Sequence, residues 1–448
     1  MLQPTAQATG PRSAARPAQP PLSPRTTVRM VVLTSLGGAL EFYDFVSYGI
    51  FAAYIAPAFF PAHDELASLM STFAVFAGGY LIRPLGGIAF SHFGDRLGRR
   101  GTFLVSLLGI SLATIGMALC PSHQAWGGWA TAAFVLLRLL QGFCLGGELP
   151  GAITYVFETA APGRTGLACG LLFCCASLGV VLASGVSAGL HGLLPAEAMA
   201  QYGWRLAFGL GGVLGILSYL PRRLLLESPA FALVRERQEV ERMPLALVLR
   251  RDLGQVAAGV GTTAVVAAFN GILFAYLPAY LVRVAGYPPA TVATAVTAGL
   301  VAGAAAVLAM GALCDVVPAR TVFRLGAVAL LLACWPFFRA VSVPGTANLA
   351  WLLAGFGALG GVASGAFAIV LAELFPARVR FSGVALAYNT SFALFSGLGP
   401  LAAAALIAAT GDKAAPSFYV AAAAAIALVA SFWAERLGGP AGHGLHAD

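Results

Sequence analysis

Apolar runs of about 20 residues follow one another along the whole chain, a length that spans a bilayer's hydrocarbon core. In hydrocarbon each backbone N–H and C=O must find its partner within the segment, so runs of this kind fold as helices. Twelve such spans are predicted, near 28–54, 67–90, 101–120, 127–158, 165–190, 203–221, 253–283, 289–313, 319–338, 347–374, 381–410 and 415–435. Several are longer than the hydrocarbon is thick and must tilt or extend beyond it. With 59% hydrophobic and only 10% charged residues, a soluble fold is excluded. The expected class is an all-α polytopic membrane protein.

Arginine sets the orientation. With the N-terminus inside, 20 basic residues fall in inner segments and 4 (Arg205, Arg283, Arg339 and Lys413) on the opposite side. Both termini are therefore expected in the cytoplasm. The net charge of +8 does not imply nucleic acid, because the basic residues form short clusters between spans and not one soluble face.

The chain reads as two sets of six spans, 28–221 and 253–436, joined by a polar segment at 222–252. Residues 1–27, rich in Pro, Ala, Ser and Arg, are expected to be disordered, and 437–448 form a short tail. The linker stretch "FALVRERQEVERMPLALVLRR" is amphipathic and basic, and suits either the inner membrane surface or a solvated linker helix. The halves repeat. "SHFGDRLGRR" follows span two and "GALCDVVPAR" follows span eight, with Asp95 and Asp315 220 residues apart. "FETAAPGRTG" follows span four and "AELFPARVRFSG" follows span ten. Each carries an acid (Glu158, Glu373) and then Pro-x-Arg, with Arg164 and Arg378 214 residues apart. Two correspondences at nearly one offset mark a duplicated six-helix unit.

"SHFGDRLGRR" resembles the loop between the second and third helices of the major facilitator superfamily, G-x-x-x-D-R-x-G-R-R. Ser91 replaces the first Gly, while Asp95, Arg96, Gly98, Arg99 and Arg100 match. The second copy keeps Gly311, Leu313, Asp315 and Arg320. Further motifs, "LEFYDF", "LIRPLGG", "RLLQGFCLGGE", "GWRLAFGLGG", "LLESPAF" and "ELFPARVRFSGVALAYN", resemble the metabolite:proton symporter branch. That branch holds permeases for citrate, α-ketoglutarate, shikimate, and proline or betaine. The resemblance implies two pseudo-symmetric six-helix bundles that rock about a midplane site, acting as a monomer. An inner gate is expected from Asp95, Arg96, Arg99, Arg100, Glu158, Arg164, Asp315, Arg320, Glu373 and Arg378. Pairs such as Asp95 with Arg164, or Asp315 with Arg378, would latch the inner side while the site faces outward. Positive-inside topology alone explains these arginines but not acids at matching places in both halves.

Charges inside spans mark pathways or relays. Glu41 and Asp44 share a helix face, roughly 20 Å and 24 Å from the inner end of span one. Arg138 lies roughly 16 Å from the outer end of span four. The resemblance places spans one and four at the central cavity, so Arg138 is expected to face Glu41 or Asp44. Gln141 shares the face of Arg138, and Glu148 lies further inward. Glycines 142, 146 and 147 let a neighbouring helix approach closely. Arg83 falls in the inner third of predicted span two, as a second anion contact, an inner-gate residue or a snorkelling arginine. The second half offers uncharged candidates: Asn270, Tyr276 and Tyr280, then Tyr388 and Asn389. Burial penalises a carboxylate and a nearby guanidinium stabilises it. Proton uptake on Glu41 or Asp44 would free Arg138 for a substrate anion. The alternative is a permanent ion pair that orients spans one and four.

The expected function is proton-coupled uptake of a small polar organic solute. A mono-, di- or tricarboxylate suits an intramembrane arginine beside aromatic and amide groups. The expected location is the bacterial inner membrane. The rivals are a drug/proton antiporter and a transport-inactive sensor on the same fold. A membrane enzyme would need a nucleophile–base or metal constellation. Histidines 63, 92, 123, 191, 443 and 446 lie in loops, at span ends or in the tail, and neither they nor the seven cysteines show ligand spacing. No metal or cofactor is expected. The partners are a solute, protons and the lipid bilayer.

Overall fold

The computed structural model describes residues 24–61, 65–343, 345 and 348–437. The tail up to residue 23, the tail 438–448, and His63, His443 and His446 lie outside the described residues. Residues 24–27, expected to be disordered, are the first turn of a helix that runs Pro24–Ile50.

Twelve helices among the described residues are long and apolar enough to cross a bilayer. In order they are Arg25–Ile50, Met70–Leu97, Arg99–Leu119, Gly128–Thr159, Thr165–Leu193 and Ala196–Arg222, then Leu253–Arg283, Pro289–Leu313, Ala319–Val341, Leu349–Ala372, Arg380–Thr410 and Pro416–Leu437. These are spans 1 to 12. The inner side is the one on which the first span begins and the last one ends. Leu119, Trp129, Leu193 and Trp351 are largely exposed, as befits a lipid-facing surface. Span 2 continues to Leu97, beyond the predicted end at 90, and stops at Gly98. Gly98 has φ +116°, a conformation that side-chain-bearing residues rarely adopt. The turn into span 3 is therefore immediate, and Asp95 sits on a helix end and not in a loop.

Small residues set how close the spans come. A Cβ on Gly146 would collide with the Arg83 carbonyl oxygen, and one on Gly86 with the Phe143 carbonyl oxygen. Spans 2 and 4 thus touch backbone to backbone, which brings Arg83 and Arg138 close together. Spans 7 and 11 each contain one π-helical stretch, Gly271–Tyr276 and Phe392–Gly397. Pro278 and Pro400 follow these stretches and lack the N–H that a regular helix would use.

Spans 1–6 and 7–12 form the two halves. Span 5 runs alongside span 8, and span 2 alongside span 11. The linker folds as two short helices, Pro229–Glu236 and Pro244–Arg251. Phe231, Val234 and Val248 are buried, and the Phe231 ring lies 5.5 Å from the Arg99 guanidinium. The apolar face read from the sequence as facing lipid or solvent is instead covered by the bundle.

Candidate transport site

Glu41 projects from the middle of span 1 and meets Arg83 of span 2 at 4.0 Å. Because span 2 reaches Leu97, Arg83 stands near the middle of the span and not in its inner third, so it does not snorkel. Its guanidinium carbon lies 5.6–5.8 Å from the ring centres of Phe45, Tyr80, Tyr388 and Phe392. Two of those rings come from each half of the protein. Both Glu41 oxygens are buried without a hydrogen-bond partner among the described residues. A buried polar group in that condition calls for a functional explanation.

The sequence reading paired Arg138 with Glu41 or Asp44. The structure separates them. Arg138 is fully buried and hydrogen-bonds the Gln141 carbonyl oxygen one turn on. Its guanidinium carbon lies 4.3 Å from the ring centres of both Phe45 and Tyr48. Asp44 turns toward spans 3 and 6, where its Oδ2 accepts from Thr114 at 3.2 Å and its Oδ1 packs against Gly211. Gln141 Nε2 donates to the Thr114 hydroxyl at 2.8 Å. Arg138 and Asp44 are thus joined through Gln141 and Thr114. Charge alone identified the ends of this chain, while Thr114, a hydroxyl in an apolar span, gave no signal of its own.

The second-half candidates divide. Asn270 lines a narrow cavity of about 40 Å3 between the halves, together with Phe42, Phe173, Phe269, Phe274 and Phe392. Tyr388 stacks on Phe392 at 4.2 Å beside Arg83. Asn389 donates to the Gly146 carbonyl at 2.7 Å across the half boundary. Tyr276 stacks on Tyr280 at 5.6 Å, away from the Arg83 rings.

At the inner ends the expected acids are present with other partners. Asp95 does not take Arg164. It accepts from Arg99 at 3.3 Å and from the Ser382 backbone N–H at 2.8 Å, the start of span 11. Asp315 does not take Arg378. It accepts the backbone N–H groups of Gly166 at 2.6 Å and Leu167 at 3.1 Å, the start of span 5. Each acid caps a helix of the opposite half, where unpaired N–H groups and the helix dipole favour an anion. Glu158 gathers Arg99, Ser228 and Arg380. Arg99 also donates to the Ala377 carbonyl. Arg320 meets Glu373 at 3.7 Å, and Arg378 meets Glu241 of the linker at 3.8 Å. Arg100 bonds the Arg223 carbonyl, Arg96 lies by His92, and Arg164 is exposed at the start of span 5. The bonds of Asp95 to Ser382, Asp315 to Gly166 and Leu167, Glu158 to Arg380 and Arg99 to Ala377 join the two halves at their inner ends.

This architecture carries a sequence signature wide enough to decide the family. The profile of the Major Facilitator Superfamily matches residues 34–384. The chain belongs to that superfamily. Among curated members, the citrate-proton symporter of Klebsiella pneumoniae is 31% identical over 407 residues, covering 91% of each chain. A putative proline/betaine transporter of Staphylococcus aureus (strain COL) is 32% identical over 411 residues, covering 89% of this chain and 86% of its own. Solved structures agree on the fold. A double-Trp mutant of XylE gives a TM-score of 0.76 at 16% identity, covering 92% of this chain and 96% of the other. The proton:xylose symporter XylE bound to 6-bromo-6-deoxy-D-glucose gives 0.71 at 16% identity, with the same coverage. The protein is a multi-pass membrane protein of the Major Facilitator Superfamily, and the curated relatives named here are transporters.

Within this superfamily member, a further fully buried charged pair lies outside the sequence reading. Glu148 of span 4 and Arg222 at the inner end of span 6 meet at 2.7 Å, both fully buried. Arg222 counts as an inner-loop arginine by position. The available signal was Glu148 itself, an intramembrane acid for which the reading supplied no cation.

Proposed function

We propose that this superfamily member imports a small organic carboxylate across the bacterial inner membrane, driven by protons, as a monomer with both termini in the cytoplasm. The observation that carries the reading is Arg83. It is a buried guanidinium near the middle of its span, ringed by aromatic side chains of both halves and held only loosely, at 4.0 Å, by Glu41. When Glu41 takes a proton, its hold on Arg83 ends, and Arg83 becomes the anion contact for a solute carboxylate. The contact joins the two halves because its walls come from both. Asp44 acts on Arg138 through Thr114 and Gln141, so its protonation alters the second cation of the site. Tyr388, Asn389 and Asn270 supply the rest of the solute contacts. Tyr276 lies further out along span 7, toward the solute's route. The inner gate opens when Asp95 and Asp315 leave the opposite half.

Uptake into proteoliposomes tests this. Carboxylates and betaines are screened with and without an imposed pH gradient. Accumulation of a carboxylate that follows the pH gradient is expected. Accumulation that ignores it and follows Na⁺ sinks the proton claim. If Glu41→Gln and Asp44→Asn both retain gradient-driven accumulation, the role given to those acids is wrong.

A further inference from the structure

An arginine at a helix end beside water normally extends its guanidinium outward. Arg222, the last residue of span 6, does the reverse. Its side chain turns into the N-terminal bundle and is fully buried. Nη1 lies 2.7 Å from Glu148 Oε1, Nε donates to the Leu33 carbonyl at 3.0 Å, and Nη2 donates to the Thr34 carbonyl at 2.6 Å. The guanidinium also stacks 4.5 Å from the Phe103 ring centre. The other Glu148 oxygen accepts from the Ser106 hydroxyl at 2.8 Å. Desolvating two charges costs several kcal/mol per ion, so a buried pair is weak evidence for a stabilising role alone.

Its position suggests a use. The Arg222 guanidinium presses on Gly37, which is one turn before Glu41 on the same face of span 1. By helix rise, Glu148 lies roughly 16 Å from the inner end of span 4, and Glu41 roughly 24 Å from that of span 1. Glu148 is therefore the next carboxylate inward. Glu148 is among the charged groups whose field reaches Glu41, with Arg83, Arg222 and Asp44. Glu148 bonds to Arg222 from span 6 and Ser106 from span 3, and its charge acts on Glu41 of span 1 and on Cys144 of its own helix.

We propose that Glu148 is the inner proton acceptor of the transport cycle, taking the proton from Glu41 and releasing it to the inner side past Arg222. This rests on the proton-driven reading above. One proton moves. The Glu41 carboxyl loses it and becomes a carboxylate beside Arg83. The Glu148 carboxylate gains it and releases Arg222 Nη1. Arg222 keeps its two backbone carbonyls, so it stays in place while Glu148 is neutral. When the proton leaves for the inner side, the ion pair re-forms. The Ser106 hydroxyl donates to the carboxylate and accepts from the carboxyl, so it serves both states.

The test is infrared difference spectroscopy of the purified full-length protein in detergent, titrated with no solute present. The carboxylic-acid C=O band of the wild type should contain a component that Glu148→Gln loses and Glu148→Asp keeps. Glu41→Gln should lose a different component and shift the titration midpoint of the Glu148 component. Glu148→Gln/Arg222→Met removes both charges, so it covers the case in which Glu148→Gln alone does not fold, and it must lack the same component. A Glu148→Gln or double-variant spectrum that superimposes on the wild type at every pH makes Glu148 a permanently ionised partner of Arg222 and overturns the proposal. An unmoved Glu148 midpoint in Glu41→Gln overturns the relay between the two acids. Because the titration uses no solute, failure of the uptake screen leaves this readout intact, and the two failures are distinguishable.

Discussion

The inner closure makes a prediction that can be read at individual amides. The first four N–H groups of a helix have no acceptor within it. Gly166 and Leu167 are the second and third residues of span 5, and their N–H groups bond to Asp315 of the other half. In Asp315→Ala those amides lose their acceptor. A hydrogen bond to a charged group contributes about 1.5–3 kcal/mol. Asp315 is only partly buried, and two bonds to one carboxylate do not add in full, so about 1.5 kcal/mol in total is a fair figure. Since 1.4 kcal/mol is a factor of ten, exchange at these two amides should speed up about tenfold. Hydrogen–deuterium exchange with mass spectrometry on overlapping peptides that begin several residues before 165 measures it. Asp95→Ala should do the same at Ser382, whose N–H bonds to a fully buried carboxylate. Unchanged exchange at 166–167 in Asp315→Ala would refute the claim that these caps hold the inner side shut.

Three further outcomes are expected. Arg83→Lys replaces a planar guanidinium among four rings by a compact ammonium, and pH-driven uptake should fall by at least about tenfold with the protein still folded; uptake near wild type removes Arg83 from the anion contact. Gly146→Ala drives a Cβ into the Arg83 carbonyl oxygen and should destabilise by about 1–3 kcal/mol, seen as a lower unfolding temperature in detergent. Asn389→Ala loses the bond to the Gly146 carbonyl and should cost about 0.5–1.5 kcal/mol by the same assay, and an unchanged unfolding temperature contradicts the contact across the halves.

Hydropathy and the paired motifs carried the twelve spans and the two-half fold, and the motifs picked out the acids Asp95 and Asp315 at the inner ends. Partner choice was not legible, since it depends on which helices adjoin. Arg83 and Arg138 lie at overlapping depths, and depth along a helix cannot say which of them Glu41 meets. The close approach of Gly86 and Gly146 decides it by fixing spans 2 and 4 against each other. Asp95 and Asp315 were found by their matching positions, but the partners they accept from across the halves are backbone N–H groups, which no residue type announces. Arg222 was hidden by the rule that served best elsewhere: an arginine at an inner span end reads as topology. The linker's apolar face was correctly detected, yet periodicity does not tell a lipid surface from a protein one.

Taken as an assembly problem, the two caps are a single contact made twice. Asp95 of the first half reaches the start of span 11, and Asp315 of the second reaches the start of span 5, with acids and helix starts at corresponding places in the repeat. Residue i meets j while j meets i, which is the mark of an isologous two-fold interface. A six-helix unit carrying both the acid and the helix start forms both caps by associating with a copy of itself. The inner contact therefore has the symmetry of a two-fold dimer interface contained within one chain, and the linker joins its two sides.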